Sequence, residues 1–320
     1  MSIIFIVYIY NKYIMVSTSI SLLRTYIKTV AQNSVIDSPI STDLIISGGG
    51  FNGAYGYGAV TYIKEMELQG KLKINRVSGS SIGSLLALIF IANSDVDMEP
   101  YYEELKRTFA TNGNLNYMNT IISEIVNIII PAQKTLESLN DKLYITMTDM
   151  HTGDHIHKHK YENIEDLIHC ISSSCYIPIL TDGGSRYKDR YVDGIVPYMF
   201  KDTNANSLYV NMIHSKIYND ILNTSTDNNP QYRIMLGAAD AAALFNNQES
   251  SICSWVNKWG IIDYVKYRLI HVIMYLFCVI TDYAYRITVP DMILNNIIYK
   301  GINNVIKILC HDICYNISTK

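Results

Sequence analysis

Ser81 stands in the run Gly79-Ser80-Ser81-Ile82-Gly83, after the apolar stretch Ile74 to Val77 and before the apolar run Leu85 to Ile91. A strand that turns sharply into a helix through a G-x-S-x-G sequence carries the serine hydroxyl at the tip of the bend. The flanking glycines, Gly79 and Gly83, permit the bend. A hydroxyl presented in this way can attack an ester carbonyl. Upstream, a second glycine-rich turn, Gly48-Gly49-Gly50-Phe51-Asn52-Gly53, follows the apolar stretch Leu44-Ile45-Ile46. Its backbone N–H groups suit the oxyanion formed in that attack. Together the two turns read as a serine acyl hydrolase.

Their order and spacing resemble the patatin-like phospholipase family, in which a glycine loop and a G-x-S-x-G elbow are followed by an aspartate in an Asp-Gly-Gly or Asp-Gly-Ala motif. That third piece corresponds to Tyr191-Val192-Asp193-Gly194-Ile195, and Ser172-Ser173-Ser174-Cys175-Tyr176-Ile177-Pro178 resembles the family's small-residue helix ending in a proline. The resemblance runs from Asp43 to Val210. It implies a Ser-Asp dyad that uses no histidine, metal or other cofactor, with Ser81 as nucleophile and Asp193 as base. It also implies an oxyanion hole drawn from Gly48, Gly49, Gly50, Asn52 and Gly53, the amides of Gly49 and Gly50 foremost. The implied substrate is a phospholipid or glycerolipid ester. Two positions depart from the family's pattern: Asn52 replaces a usual Arg or Lys, and Ile195 replaces a small residue. Asn52 brings no positive charge to the oxyanion, and the bulk of Ile195 is expected to crowd the dyad.

Competing readings attach to the same residues. Asp182-Gly183-Gly184 matches an Asp-Gly-Gly motif more closely than Asp193 does, but it lies where a turn belongs, whereas Asp193 ends a strand. Gly48-x-Gly50-x-x-Gly53 also fits a dinucleotide fingerprint, which calls for an acidic residue at the end of the next strand; here that strand ends Arg76-Val77-Ser78. His155, His157 and His159 alternate and would share one strand face, where imidazoles can bind zinc or simply flank the sheet. His214 is the best placed histidine for a conventional triad. A non-catalytic lipid-binding module on the same scaffold is the alternative function.

To bring both glycine turns together, the elements before and after them must form a parallel sheet with their loops on one edge. The expected architecture is α/β: a patatin-like three-layer fold with a mainly parallel sheet between helices and a helical C-terminal extension. Residues 1–42 form an N-terminal segment, possible helix included, 43–211 the catalytic domain, and 212–320 a mainly helical region packed on it. Leu143 to Thr148 and His155 to Tyr161 read as a hairpin turning at Gly153. Asn119 to Ile130 is strongly apolar, fit for core or acyl pocket.

At 320 residues, 49% apolar and 17% charged, the chain is long enough for a sizeable core, and a formal charge of -3 argues against a nucleic-acid partner. Its 6 cysteines include no C-x-x-C pair, which points to free thiols in a reducing compartment and an intracellular protein, soluble or peripherally membrane-associated. The apolar stretch Ile3 to Tyr10 is too short to span a bilayer, so an N-terminal anchor is not favoured. The run Leu269 to Ile280, about 18 Å as a helix, is also short for a bilayer core of ~30 Å. The helix around it, Ile262 to Ile280, is expected to cover the sheet or to dock on lipid. Ile298, Ile302, Val305 and Leu309 recur at helical spacing.

Overall fold

A computed structural model describes residues 22–36, 38–94, 96–200, 206–213 and 230–286. The readings placed on Ile3 to Tyr10, His214, Ile298 to Leu309, and Cys310 with Cys314 lie outside the described residues.

The core is one seven-stranded mixed sheet. Its centre consists of β1 (Ile40–Ile46), β2 (Leu72–Ser80), β3 (Leu143–Asp149) and β6 (Asn206–Val210), all parallel in the order β3-β2-β1-β6. Antiparallel β4 (His155–Lys158) and β7 (Cys253–Trp255) close the two edges. The short β5 (Tyr191–Asp193) pairs antiparallel with the far end of β3, setting Asp193 opposite Met147. The hairpin expected around Gly153 is β3–β4. Alignment of β1 with β2 carries Ile46 opposite Gly79, so the chain leaves both strands side by side and the two glycine turns meet.

The period of two along the strands sorts side chains into layers. Leu44 and Ile46 of β1 enter a large apolar cluster, with residues of the helix over 22–32 (α1), α2 (Gly53–Leu68), α3 (Ile82–Ala92), α5 (Met118–Ile129), α7 (Ile164–Ser174) and α8 (Pro230–Phe245). Between α3 and α5 runs α4 (Glu99–Asn112), and α6 (Gln133–Glu137) precedes β3. The alternate residue Ile45 enters a smaller cluster with Val192, Tyr209, Tyr267 and Cys278. Helices α2 and α8 cross at glycines: a Cβ on Gly58 would lie 1.9 Å from the Ile234 carbonyl oxygen, and one on Gly237 would lie 1.9 Å from that of Tyr55. Nothing larger fits at either position.

The opposite face of the sheet is covered by α9 (Ile261–Arg286), which seats only one side on the sheet. Its inner side is fixed at two places. The Tyr267 hydroxyl donates to the Pro197 carbonyl at 2.8 Å, and the buried Arg186 guanidinium forks onto the buried Asp282 carboxylate with two contacts of 2.7 Å. Trp259, at the root of α9, packs edge-on against Tyr209 and Tyr264, and Trp255 packs on Phe245. The outer side is apolar and exposed, including Leu269, Val272, Ile273, Leu276 and Ile280. The helix expected over Ile262 to Ile280 extends one residue earlier and six residues further, to Arg286. Among the described residues it is one helix long and apolar enough to cross a membrane, Ile261–Tyr283, by length and composition.

Candidate active site

Ser81 joins β2 to α3 with φ 53° and ψ -135°, outside the regions open to most L-residues. The bend is held from several sides. The Ser81 amide donates to Ser174 Oγ at 2.9 Å, and the Ser81 carbonyl accepts from Ser84 Oγ at 2.6 Å and from the Ser84 amide at 2.9 Å. A Cβ on Gly79 would meet the Gly83 carbonyl oxygen at 2.3 Å, and one on Gly83 would meet that of Ser47 at 2.4 Å. Both elbow glycines are therefore needed for the backbones to pass. Strain of this kind, of order 1–3 kcal/mol, survives where the surroundings over-determine it.

Asp193 arrives from the other side. Its amide donates to the Tyr176 carbonyl at 2.8 Å, the Gly194 amide donates to the Ser174 carbonyl at 3.3 Å, and Thr148 Oγ1 donates to the Asp193 carbonyl at 3.0 Å. Ser174 thus touches both partners, its hydroxyl holding the Ser81 amide and its carbonyl holding the residue after Asp193. The Asp193 carboxyl accepts from the Ile195 amide at 2.6 Å, and Ser81 stands near enough to lower its pKa. Burial raises this carboxyl to about 6, and Ser81 and the Ile195 amide offset part of the rise. Ile195 sits at φ 63°, a costly conformation for a β-branched residue. Its side chain packs in the smaller apolar cluster beneath α9 and is not among the residues lining the cleft described below.

The glycine turn lies directly against this pair: a Cβ on Gly48 would approach Ser81 Cβ to 3.0 Å. Three of its expected oxyanion donors are already engaged in this conformation. The Gly48 amide donates to Ser80 Oγ at 3.1 Å, and the Asn52 and Gly53 amides donate to the carbonyls of Gly49 and Gly50. The Asn52 side chain, wholly buried, donates to the Met212 carbonyl at 2.9 Å and accepts from Arg233 at 2.5 Å. In this conformation the Gly48, Asn52 and Gly53 amides hold the turn, while Gly50 and Gly53 line the cleft beside Ser81. Arg233 carries no motif, and a lone arginine one helical turn before Gly237 in a small-residue helix was the only signal available.

The remaining candidates fall elsewhere. Asp182 accepts from the Tyr176 hydroxyl at 2.5 Å and from the Gly184 amide at 2.9 Å, at a turn with Gly183 at φ 86°. Arg76, in the middle of β2, forks onto the buried Asp43 carboxylate. His155 contacts the Gly194 carbonyl at 2.6 Å and packs on His271 of α9, while His159 contacts Asp141 at 2.8 Å and stacks on Tyr144. Among the described residues no group of three or more His, Cys, Asp or Glu is placed to hold a metal ion. Cys170, Cys175, Cys253 and Cys278 are free and buried, their thiols pushed up by burial.

A cleft of about 100 Å³ opens beside Ser81. Its walls are almost entirely apolar, with Leu86, Tyr102, Leu105, Met118 and Ile122 among them. Helix α5 lines the cleft with Ile121 and Ile122 and fills the core with Ile125, Val126 and Ile129.

A strained serine elbow beside an apolar cleft, on an α/β sheet flanked by helices, is an arrangement consistent with the patatin fold. Residues 44–199 match the family model described as Patatin-like phospholipase, and the chain carries a patatin-like domain. It is also similar to the omega-hydroxyceramide transacylases of Homo sapiens and Mus musculus, at 24% identity over 180 residues in each case. Those alignments cover 51% of this chain but 32% and 29% of the two relatives, so the chain spans about a third of their length.

Proposed function

We propose that this protein cleaves carboxylic esters of phospholipids or glycerolipids through an acyl-enzyme on Ser81. The observation that carries the reading is Ser81, on its strained elbow at the edge of an apolar cleft, tied through Ser174 to the segment that brings the buried Asp193 carboxyl beside it. Asp193 takes the hydroxyl proton as Ser81 Oγ bonds to the ester carbon. The amides of Gly49 and Gly50 stabilise the oxyanion. Collapse breaks the bond to the alcohol oxygen, which leaves with the proton from Asp193 while the acyl chain stays in the cleft. Water, deprotonated by Asp193 in turn, releases the fatty acid.

The names of the relatives favour a second outcome for the same intermediate, in which a lipid hydroxyl replaces water as acceptor. The two are separated by supplying a long-chain alcohol and asking whether acyl ester appears in place of free fatty acid. The primary test compares wild type with Ser81→Ala on mixed phospholipid vesicles and p-nitrophenyl butyrate. Release that disappears in the variant supports the reading. Folded wild type that releases nothing would make the chain a lipid-binding module, and equal release from both proteins would remove Ser81 from the mechanism.

The bilayer contact belongs to this proposal as well. The exposed apolar side of α9, flanked by the exposed cations Lys258, Lys266 and Arg268, fits an anionic lipid surface and holds the protein at its substrate. The reading places the protein inside the cell, soluble or attached peripherally to a membrane.

A further inference from the structure

Arg233 presents an unusual combination: a guanidinium that is 6% exposed, delivered by α8 to a turn with no cation of its own. Burying such a charge is expensive unless it is held by good hydrogen bonds, so its position needs a reason. One Nη2 contact, 2.5 Å long, goes to Asn52 Oδ1 across 181 residues of sequence. The α2–α8 crossing makes that reach possible, because Gly58 and Gly237 let the two helices approach at the turn next to Arg233.

From Asn52 the contacts run on through the glycine turn. Asn52 Nδ2 donates to the Met212 carbonyl at 2.9 Å, the Met212 amide donates to Ser47 Oγ at 2.7 Å, and Ser47 Oγ donates to the Gly48 carbonyl at 2.8 Å. The Asn52 amide closes the turn by donating to the Gly49 carbonyl at 2.9 Å. Every link either holds a residue of the glycine turn or fixes the strand ends on which it rests. A guanidinium stays protonated at any working pH. It therefore sets a permanent positive charge behind the Asn52 amide, one side chain away from the loop.

We propose that Arg233 is the positioning residue of the oxyanion loop. Acting through Asn52, it locks the Gly49 and Gly50 amides in their donating orientation and supplies a fixed positive charge that favours the transition-state oxyanion over the neutral ester. The inference rests on the acyl-enzyme reading above. An effect confined to the oxyanion falls on kcat and leaves KM in place, whereas simple loss of packing lowers stability without that split.

The test measures kcat and KM for p-nitrophenyl butyrate, with thermal melting, in wild type, Ser81→Ala, Arg233→Lys, Arg233→Gln and Asn52→Ala. Loss of one oxyanion donor costs about 10²–10³ in kcat. A residue acting through another should cost less, about 10–100-fold, in Arg233→Gln and in Asn52→Ala with KM unchanged. Arg233→Lys, which keeps the charge, should recover at least part of that loss. If Arg233→Gln does not fold, Asn52→Ala carries the same comparison, since it cuts the link and leaves the cation in place. Wild-type kcat in a folded Arg233→Gln or Asn52→Ala overturns the inference while Ser81→Ala remains dead. So does a loss that follows the melting temperature alone. Turnover that survives in Ser81→Ala overturns the acyl-enzyme reading instead.

Discussion

A carboxyl raised to about 6 by burial works as a base only after it has lost its proton. The rate kcat/KM should therefore rise through about pH 6 to a plateau above it, in a pH series on p-nitrophenyl butyrate. Asp193→Asn should lower turnover by about 10²–10⁴ and abolish that rise. The stability effect has the opposite direction. Between the ordinary 3.8 and the folded value of about 6 the native state holds more protons than the unfolded chain, so this group makes the fold less stable as pH rises through that window. Asp193→Asn should thus be up to about 3 kcal/mol more stable than wild type at pH 8 in urea titrations. Ser81 and Asp193 were legible because each carries its own glycine neighbours and strand context. Ser174 and Arg233 were not: a hydroxyl in a serine run and an arginine in a helix acquire their roles only from what the fold sets beside them.

The strand ends bring the two glycine turns together, and the alternation of strand and helix was enough to foresee that. The crossing of α2 and α8 was hidden, because Gly58 and Gly237 look like ordinary helix-weakening glycines until the helices are seen to touch. Gly58→Val should lower the unfolding free energy by about 3 kcal/mol and activity with it, since the clash is with backbone at Ile234, beside Arg233. Gly70 offers the contrast. A Cβ there meets nothing within 4 Å, but φ is +72°, so Gly70→Ala should cost about 1 kcal/mol and leave turnover untouched. Chemical denaturation of the two variants beside wild type separates crowding from backbone strain. The antiparallel edge strand β7 was also missed, for three residues following a helix give no periodicity to read.

At the scale of the whole molecule, α9 divides the protein into a side that faces the sheet and a side that faces outward. Leu269→Glu with Ile273→Glu should cut sedimentation with phosphatidylcholine–phosphatidylglycerol vesicles at least tenfold, since each apolar side chain withdrawn from lipid forfeits about 1.5–3 kcal/mol. Fatty-acid release from those vesicles should fall with it, while hydrolysis of the soluble ester stays at the wild-type rate. The apolar run of α9 was visible in the sequence; which of its sides would stay exposed was not, because composition cannot say which neighbours a helix will find. The packing at the helix root has one further use. The chain's 2 tryptophans, Trp255 and Trp259, stand at the junction of β7 and α9, and Trp259 rests on three tyrosine rings. Indole emission from the unlabelled protein is therefore a built-in optical gauge of how α9 is seated, able to follow its arrival at a vesicle in real time without a dye.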